Sequence, residues 1–172
     1  MPTRRPRGTS GTGRRAISTL GWVLRGAAAG AAGTTTLNAV TYLDMAVRGR
    51  GTSSTPEDTV ENLAEKVHVR IPGRDETRAN RLQGLGSLTG IAAGTGVGAL
   101  AGLARASGVR LRPVVGTALT TVGVLIAANG PMTVLGITDP RTWSAADWLS
   151  DLVPHVAYSA VVTATLDAFD RR

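Results

Sequence analysis

The chain has 172 residues, a length that fits one domain or one small helical bundle. Apolar residues make up 42% of it, aromatic ones only 3%, and 22 positions are glycine; this mixture suits close backbone packing of helices in lipid better than a water-soluble core of large side chains. The absence of cysteine excludes a disulfide framework, a thiolate nucleophile and a Cys-based zinc site, and the net charge of +7 arises at one end, where Arg4, Arg5, Arg7, Arg14, Arg15 and Arg25 meet no acid.

After residue 25 the chain is nearly balanced, with 13 basic and 12 acidic residues. A basic excess confined to the flank of an apolar stretch reads as a topology signal, so a lipid bilayer is expected as partner and nucleic acid is not. The preference for Arg over Lys, with abundant Ala, Gly and Thr, matches the composition of a GC-rich bacterial genome.

Residues 1–21 carry Pro, Gly, Ser, Thr and Arg without apolar periodicity and read as a disordered basic tail. Arg14-Arg15 ahead of an apolar run faintly resembles a twin-arginine leader, but Arg25 interrupts that run and no evident soluble domain follows. Residues 22–47 form the first expected transmembrane helix. It is the weakest of four, because Gly26 to Leu43 is uncharged but rich in Ala, Gly and Thr, which insert less readily than Leu or Ile. Its case rests on neighbours to pack against.

Residues 48–81 read as a polar loop containing an amphipathic helix over 56–69. Thr55 is its expected cap, Pro56 fits the first turn, and Glu57 and Asp58 face the positive end of the dipole. Val60, Leu63, Ala64 and Val67 then recur at helical spacing, until Ile71-Pro72-Gly73 stops the helix. Its acidic face favours docking on the protein over attraction to anionic lipid. His68 in this loop is given no role.

Two long charge-free stretches follow, 82–104 and 113–138, each able to span a hydrocarbon core of roughly 30 Å. Neither has a polar face. A soluble chain of this size has little protein with which to wrap two such helices. Residues 139–151 read as an interfacial segment with Trp143 and Trp148 at the water boundary, and 152–169 as a fourth transmembrane helix. Asn129-Gly130-Pro131 is expected to kink the third. The fold class is therefore all-α: an integral membrane four-helix bundle. Basic residues in the tail, the 105–112 loop and Arg171-Arg172 put both termini in the cytoplasm, at the bacterial plasma membrane.

The strongest motif is a glycine zipper in the second helix: Gly86, Gly90, Gly94, Gly98 and Gly102, spaced by four, predict a groove that a neighbouring backbone enters. Gly26 and Gly30 of the first helix, or Ala29 and Gly33, supply the partner face, within one chain or across a homo-oligomer. Gly96-Val97-Gly98 with Ala101 formally fits a dinucleotide-binding pattern but lacks the preceding strand and the following acid. The same stretch has no pore-helix context for a potassium filter.

Polar groups within membrane segments are the candidate functional residues. Thr34, Asn38 and Tyr42 stand four apart on the first helix, Asp44 can pair with Arg48, and Asn129 sits beside the proline kink. Ser144 can cap the fourth helix, where Asp147, Asp151 and His155 form one stripe able to bind a divalent metal or relay protons. The bland reading of each is helix-to-helix hydrogen bonding, or acids favoured by a helix dipole. No catalytic constellation is present, so no enzymatic activity, resident metal or cofactor is expected.

Gly136-Ile137-Thr138-Asp139-Pro140-Arg141-Thr142-Trp143, leading into Asp151-Leu152-Val153-Pro154-His155, resembles the tail of small four-helix bacterial inner-membrane proteins of the YagU-like type. The resemblance implies an integral membrane protein and brings no catalytic residue with it. The resulting expectation is a structural or interaction component of the membrane. The alternative is a small transporter or channel subunit using Asn38, Asn129 and the Asp147/Asp151/His155 stripe.

Overall fold

The computed structural model describes residues 17–171, so most of the expected tail, residues 1–16, lies outside the described residues. Among the described residues the chain is all-helical, with five α-helices and no strand. α1 (Thr19–Arg48) begins where the Ser18 hydroxyl accepts from the Gly21 amide at 3.1 Å, and ends at Gly49 in the left-handed region (φ 64). α2 (Thr55–Lys66) carries Pro56 in its first turn, followed by Glu57 and Asp58. Ser54 takes the cap position expected of Thr55, and the helix stops three residues before 69, with His68 left-handed at φ 56.

α3 (Asp75–Ala106) starts seven residues ahead of the apolar stretch that marks it in the sequence. Charge shows where a greasy segment begins, not where a helix begins. Asp75 and Glu76 suit a first turn, and the residues after them have adequate helix propensity. α4 (Pro113–Val134) stops short of 138 because Gly136 (φ 73) closes a Schellman motif. Its amide reaches the Thr133 carbonyl at 3.1 Å and the Ile137 amide reaches Met132 at 2.9 Å. Pro131 lies inside α4 without ending it. The expected interfacial segment 139–151 divides into a 3₁₀ turn (Pro140–Thr142) and the first turns of α5 (Ala145–Asp170), which opens with a capping box between Ser144 and Asp147.

α3, α4 and α5 are long and apolar enough to cross a membrane. α1, expected as a fourth span, is long enough at 30 residues but is not among them, because Ala, Gly and Thr fill its middle. Packing shows what its composition serves. α1 lies against α3 and α5 together, α4 lies against α5, and α2 runs back along the first third of α3. A helix flanked by two others is best served by small residues on the faces it shares with them.

The core joins Trp22, Ala29, Val124, Tyr158, Val162 and Leu166. Polar residues are buried among them: Thr34, Arg105, Thr121, His155, Ser159 and Thr163. The outer faces are the reverse. Val114, Leu119, Val122, Ile126 and Val134 of α4 are 54–86% exposed, and Leu88, Ile91 and Leu100 of α3 are 48–65% exposed. The apolar side of α2 is only partly covered, with Val60 and Ala64 half-buried and Leu63 and the C-cap Val67 exposed; Pro56 and Glu61 contact α3.

Candidate functional site

Where α1 crosses α3 the backbones touch. A Cβ on Gly30 would sit 2.6 Å from the Gly94 carbonyl oxygen, and one on Gly98 would sit 2.5 Å from the Gly30 Cα. One on Gly26 would lie 2.8 Å from the Gly102 Cα, and one on Gly94 would overlap the Thr34 hydroxyl. Optimal carbon separations are about 3.5–4.0 Å, so no side chain fits. Gly33 opens the other side of α1 in the same way, where a Cβ would lie 2.6 Å from the Tyr158 ring. Through that opening Tyr158 of α5 reaches past α1 and donates to the Gly94 carbonyl at 2.6 Å. One joint thus fixes three helices.

The five glycines do not act as one groove. Gly86 faces α2, where a Cβ would be 3.1 Å from Pro56, and Gly90 meets nothing within 4 Å. A step of four residues overshoots a full turn by about 40°, so five such positions wind across roughly 160° of the helix surface. α1 covers only Gly94, Gly98 and Gly102. The same drift separates Thr34, Asn38 and Tyr42: Thr34 is buried, Asn38 half-buried and Tyr42 exposed.

A polar group lies at the opposite end of the molecule from Arg105, between α4 and α5. The Asn129 side-chain amide donates to Asp151 Oδ2 at 2.9 Å. The His155 Nδ1 lies 2.7 Å from the Asp151 carbonyl oxygen and 3.4 Å from its Oδ1. His155 is buried. Asp147 does not join them, because its carboxylate turns back to the Ser144 amide (2.9 Å) and hydroxyl (2.7 Å). Its position in the first turn is the one the helix dipole favours, and the expected stripe of three is broken there. Among the described residues no three His, Asp or Glu side chains come together as a metal site. Asp44 accepts from Arg50 at 2.5 Å and from Arg48 at 3.4 Å, and Arg48 also donates to Ser150 at 2.6 Å, tying α1 to α5 beside Asp151. Asn38 makes no hydrogen bond to this group among the described residues.

The sequence reading missed the clasp at the other end. Arg105 is 9% exposed; it donates to Asp167 at 2.5 Å and also to Asp170. Arg110 reaches Asp170 at 3.0 Å and the Arg105 carbonyl at 2.6 Å. The Arg25 guanidinium lies over the Trp22 and Phe169 rings (5.5 and 5.2 Å), and Arg110 over Trp22 (5.2 Å). A signal was present. Asp167 and Asp170 occupy the last turn of a helix, where the dipole opposes negative charge and favours a nearby cation, but nothing in that turn says which cation.

No protein-family model, curated protein or solved structure matches this chain.

Proposed function

We propose that the chain is a multi-pass integral protein of the bacterial plasma membrane, in which α1, α3, α4 and α5 cross as a four-helix bundle with both termini in the cytoplasm. Its role is structural or interactive and not enzymatic, and its helices are joined by a short glycine zipper of α1 on α3. The observation that carries this reading is the inverted distribution of polarity, with Arg105, His155, Ser159 and Thr163 inside and the large aliphatic residues of α3 and α4 outside. Water would leave large aliphatic side chains exposed along the length of α3 and α4, a surface that soluble monomers rarely carry; lipid covers it at no cost. The likeness of the Gly136–His155 region to YagU-like membrane proteins belongs to the same proposal.

Carbonate washing of membranes tests it: the chain is expected to stay in the pellet and to need detergent for extraction. A polypeptide that purifies monodisperse without detergent overturns the reading. Reporter fusions at residues 60, 108, 143 and 172 test the orientation, with 108 and 172 expected inside and 60 and 143 outside.

A second reading, a small transporter or channel subunit, is favoured by one observation: Asn129 and the Asp151–His155 pair meet across the α4/α5 seam. Flux in proteoliposomes that is abolished by Asp151→Asn and His155→Ala supports it. Absence of metal- or proton-dependent flux removes it.

A further inference from the structure

The geometry points to a binding site for one anionic phospholipid in the groove between α1 and α5, with its phosphate on Arg48 and an acyl chain along the apolar walls. This inference rests on the membrane reading above and names a specific ligand on a surface that reading gives to bulk lipid. The groove has a volume of about 450 Å³. α1 lines it with Val40, Asp44 and Arg48, and α5 with Leu149, Ser150, Val153 and Pro154. The two helices run in opposite directions, since Arg48 donates to Ser150 while Gly33 meets Tyr158. Val153 and Pro154 therefore fall toward Val40. Four residues of helix rise about 6 Å, so Val40 and Arg48 stand about 12 Å apart along α1. The groove is thus graded, cationic where α1 ends and apolar further in. A phosphate followed by an alkyl chain has the same order.

Charge selects the headgroup. Asp44 has its closer partner in Arg50, at 2.5 Å, and reaches Arg48 only at 3.4 Å. Asp147 is turned to Ser144. Two guanidinium groups thus share one carboxylate at the mouth of the groove, and an anion balances the excess. Arg48 has donors to spare. Its Nη1 serves Ser150 and Asp44, and among the described residues its Nε and Nη2 make no hydrogen bond. Its side chain is 43% exposed, so the free edge of the fork is open to a phosphate, whose oxygens that fork matches. The walls select the rest of the ligand. Leu149 and Val153 are exposed, and a free phosphate on Arg48 would leave them uncovered, whereas an acyl chain covers them.

The test uses the full chain in dodecylmaltoside, with palmitoyl-oleoyl phosphatidylglycerol titrated in and bound lipid counted by native mass spectrometry. One lipid is expected to bind more tightly than any later one. Arg48→Gln should weaken that first step about tenfold, the loss of one charge-assisted contact, and Arg48→Lys should weaken it less. Val153→Trp fills the groove from an exposed position and should abolish the step; if that variant fails to fold, Arg48→Gln still decides. Arg112→Gln, an exposed cation at the opposite end of the molecule, should change nothing. A first step untouched by Arg48→Gln overturns the inference, as does equal affinity for phosphatidylcholine or displacement of the lipid by millimolar inorganic phosphate. A dimer that Val153→Trp breaks also overturns it, because a second copy then fills the groove. A chain that stays dissolved without detergent fails the membrane reading and the site with it; a chain that needs detergent but holds no tight first lipid fails the site alone.

Discussion

A Cβ on Gly98 would lie 2.5 Å from the Gly30 Cα, whereas one on Gly90, two turns earlier in α3, meets nothing within 4 Å. The two positions should therefore respond in opposite directions. Gly98→Ala has to push two backbones apart, and an overpacked contact of this kind costs about 1–3 kcal/mol. Gly90→Ala meets no neighbour and should gain about 0.5–1 kcal/mol from its better helix propensity. Unfolding in detergent measures both; equal effects would discard the close-contact assignment. In the sequence these glycines look alike, because a spacing of four reports a shared helix surface but not how far along it a partner follows. Asp139 is a second case. The Arg141 side chain and then its backbone amide hold the Asp139 carboxyl below the usual carboxylate range. A depressed carboxylate contributes stability above its unfolded value and loses it as pH falls through the lower, folded one. Protection of the Arg141 amide, its exchange rate taken relative to the intrinsic rate at each pH, should therefore fall as Asp139 is protonated, and Asp139→Asn should remove that pH dependence of protection.

At the scale of the element, helix ends were less legible than apolar centres. α3 and α5 each start seven residues before their expected spans at 82 and 152, and α4 ends four residues before 138. Hydrophobicity marks the part of a helix that can face lipid, while caps and glycines mark where the backbone starts and stops. Ser144 was readable as a cap, and Ser144→Ala should cost about 1 kcal/mol through loss of the capping box. The Arg105 clasp was not, since Arg105 and Asp167 stand 62 residues apart. Removing one partner of a buried ion pair costs about 3–5 kcal/mol; the clasp side chains remain 10–19% exposed, so Arg105→Gln should fall at the low end of that range. A double-mutant cycle with Asp167→Asn measures the coupling, and an additive result would deny that Arg105 and Asp167 interact.

For the whole molecule, α1 is the element on which the proposed bundle turns. Its small residues let α3 and Tyr158 close on it from two sides, and the same residues weaken its own partition into lipid. As a lone segment in a membrane-insertion assay α1 should integrate poorly, while α3 and α4 integrate alone; efficient insertion of α1 by itself would contradict this account. The sequence by itself determined the helical class, the apolar segments and the glycine spacing, because periodicity and charge are local properties of a chain. Tertiary structure alone decided which three glycines are used, that Gly33 admits Tyr158, that Asp147 turns to Ser144 while Asp151 takes Asn129, and that Arg105 finds Asp167 and Asp170. Each of these depends on how far one helix is rotated and crossed against another, and a drift of about 40° per four residues hides that from any single segment read alone.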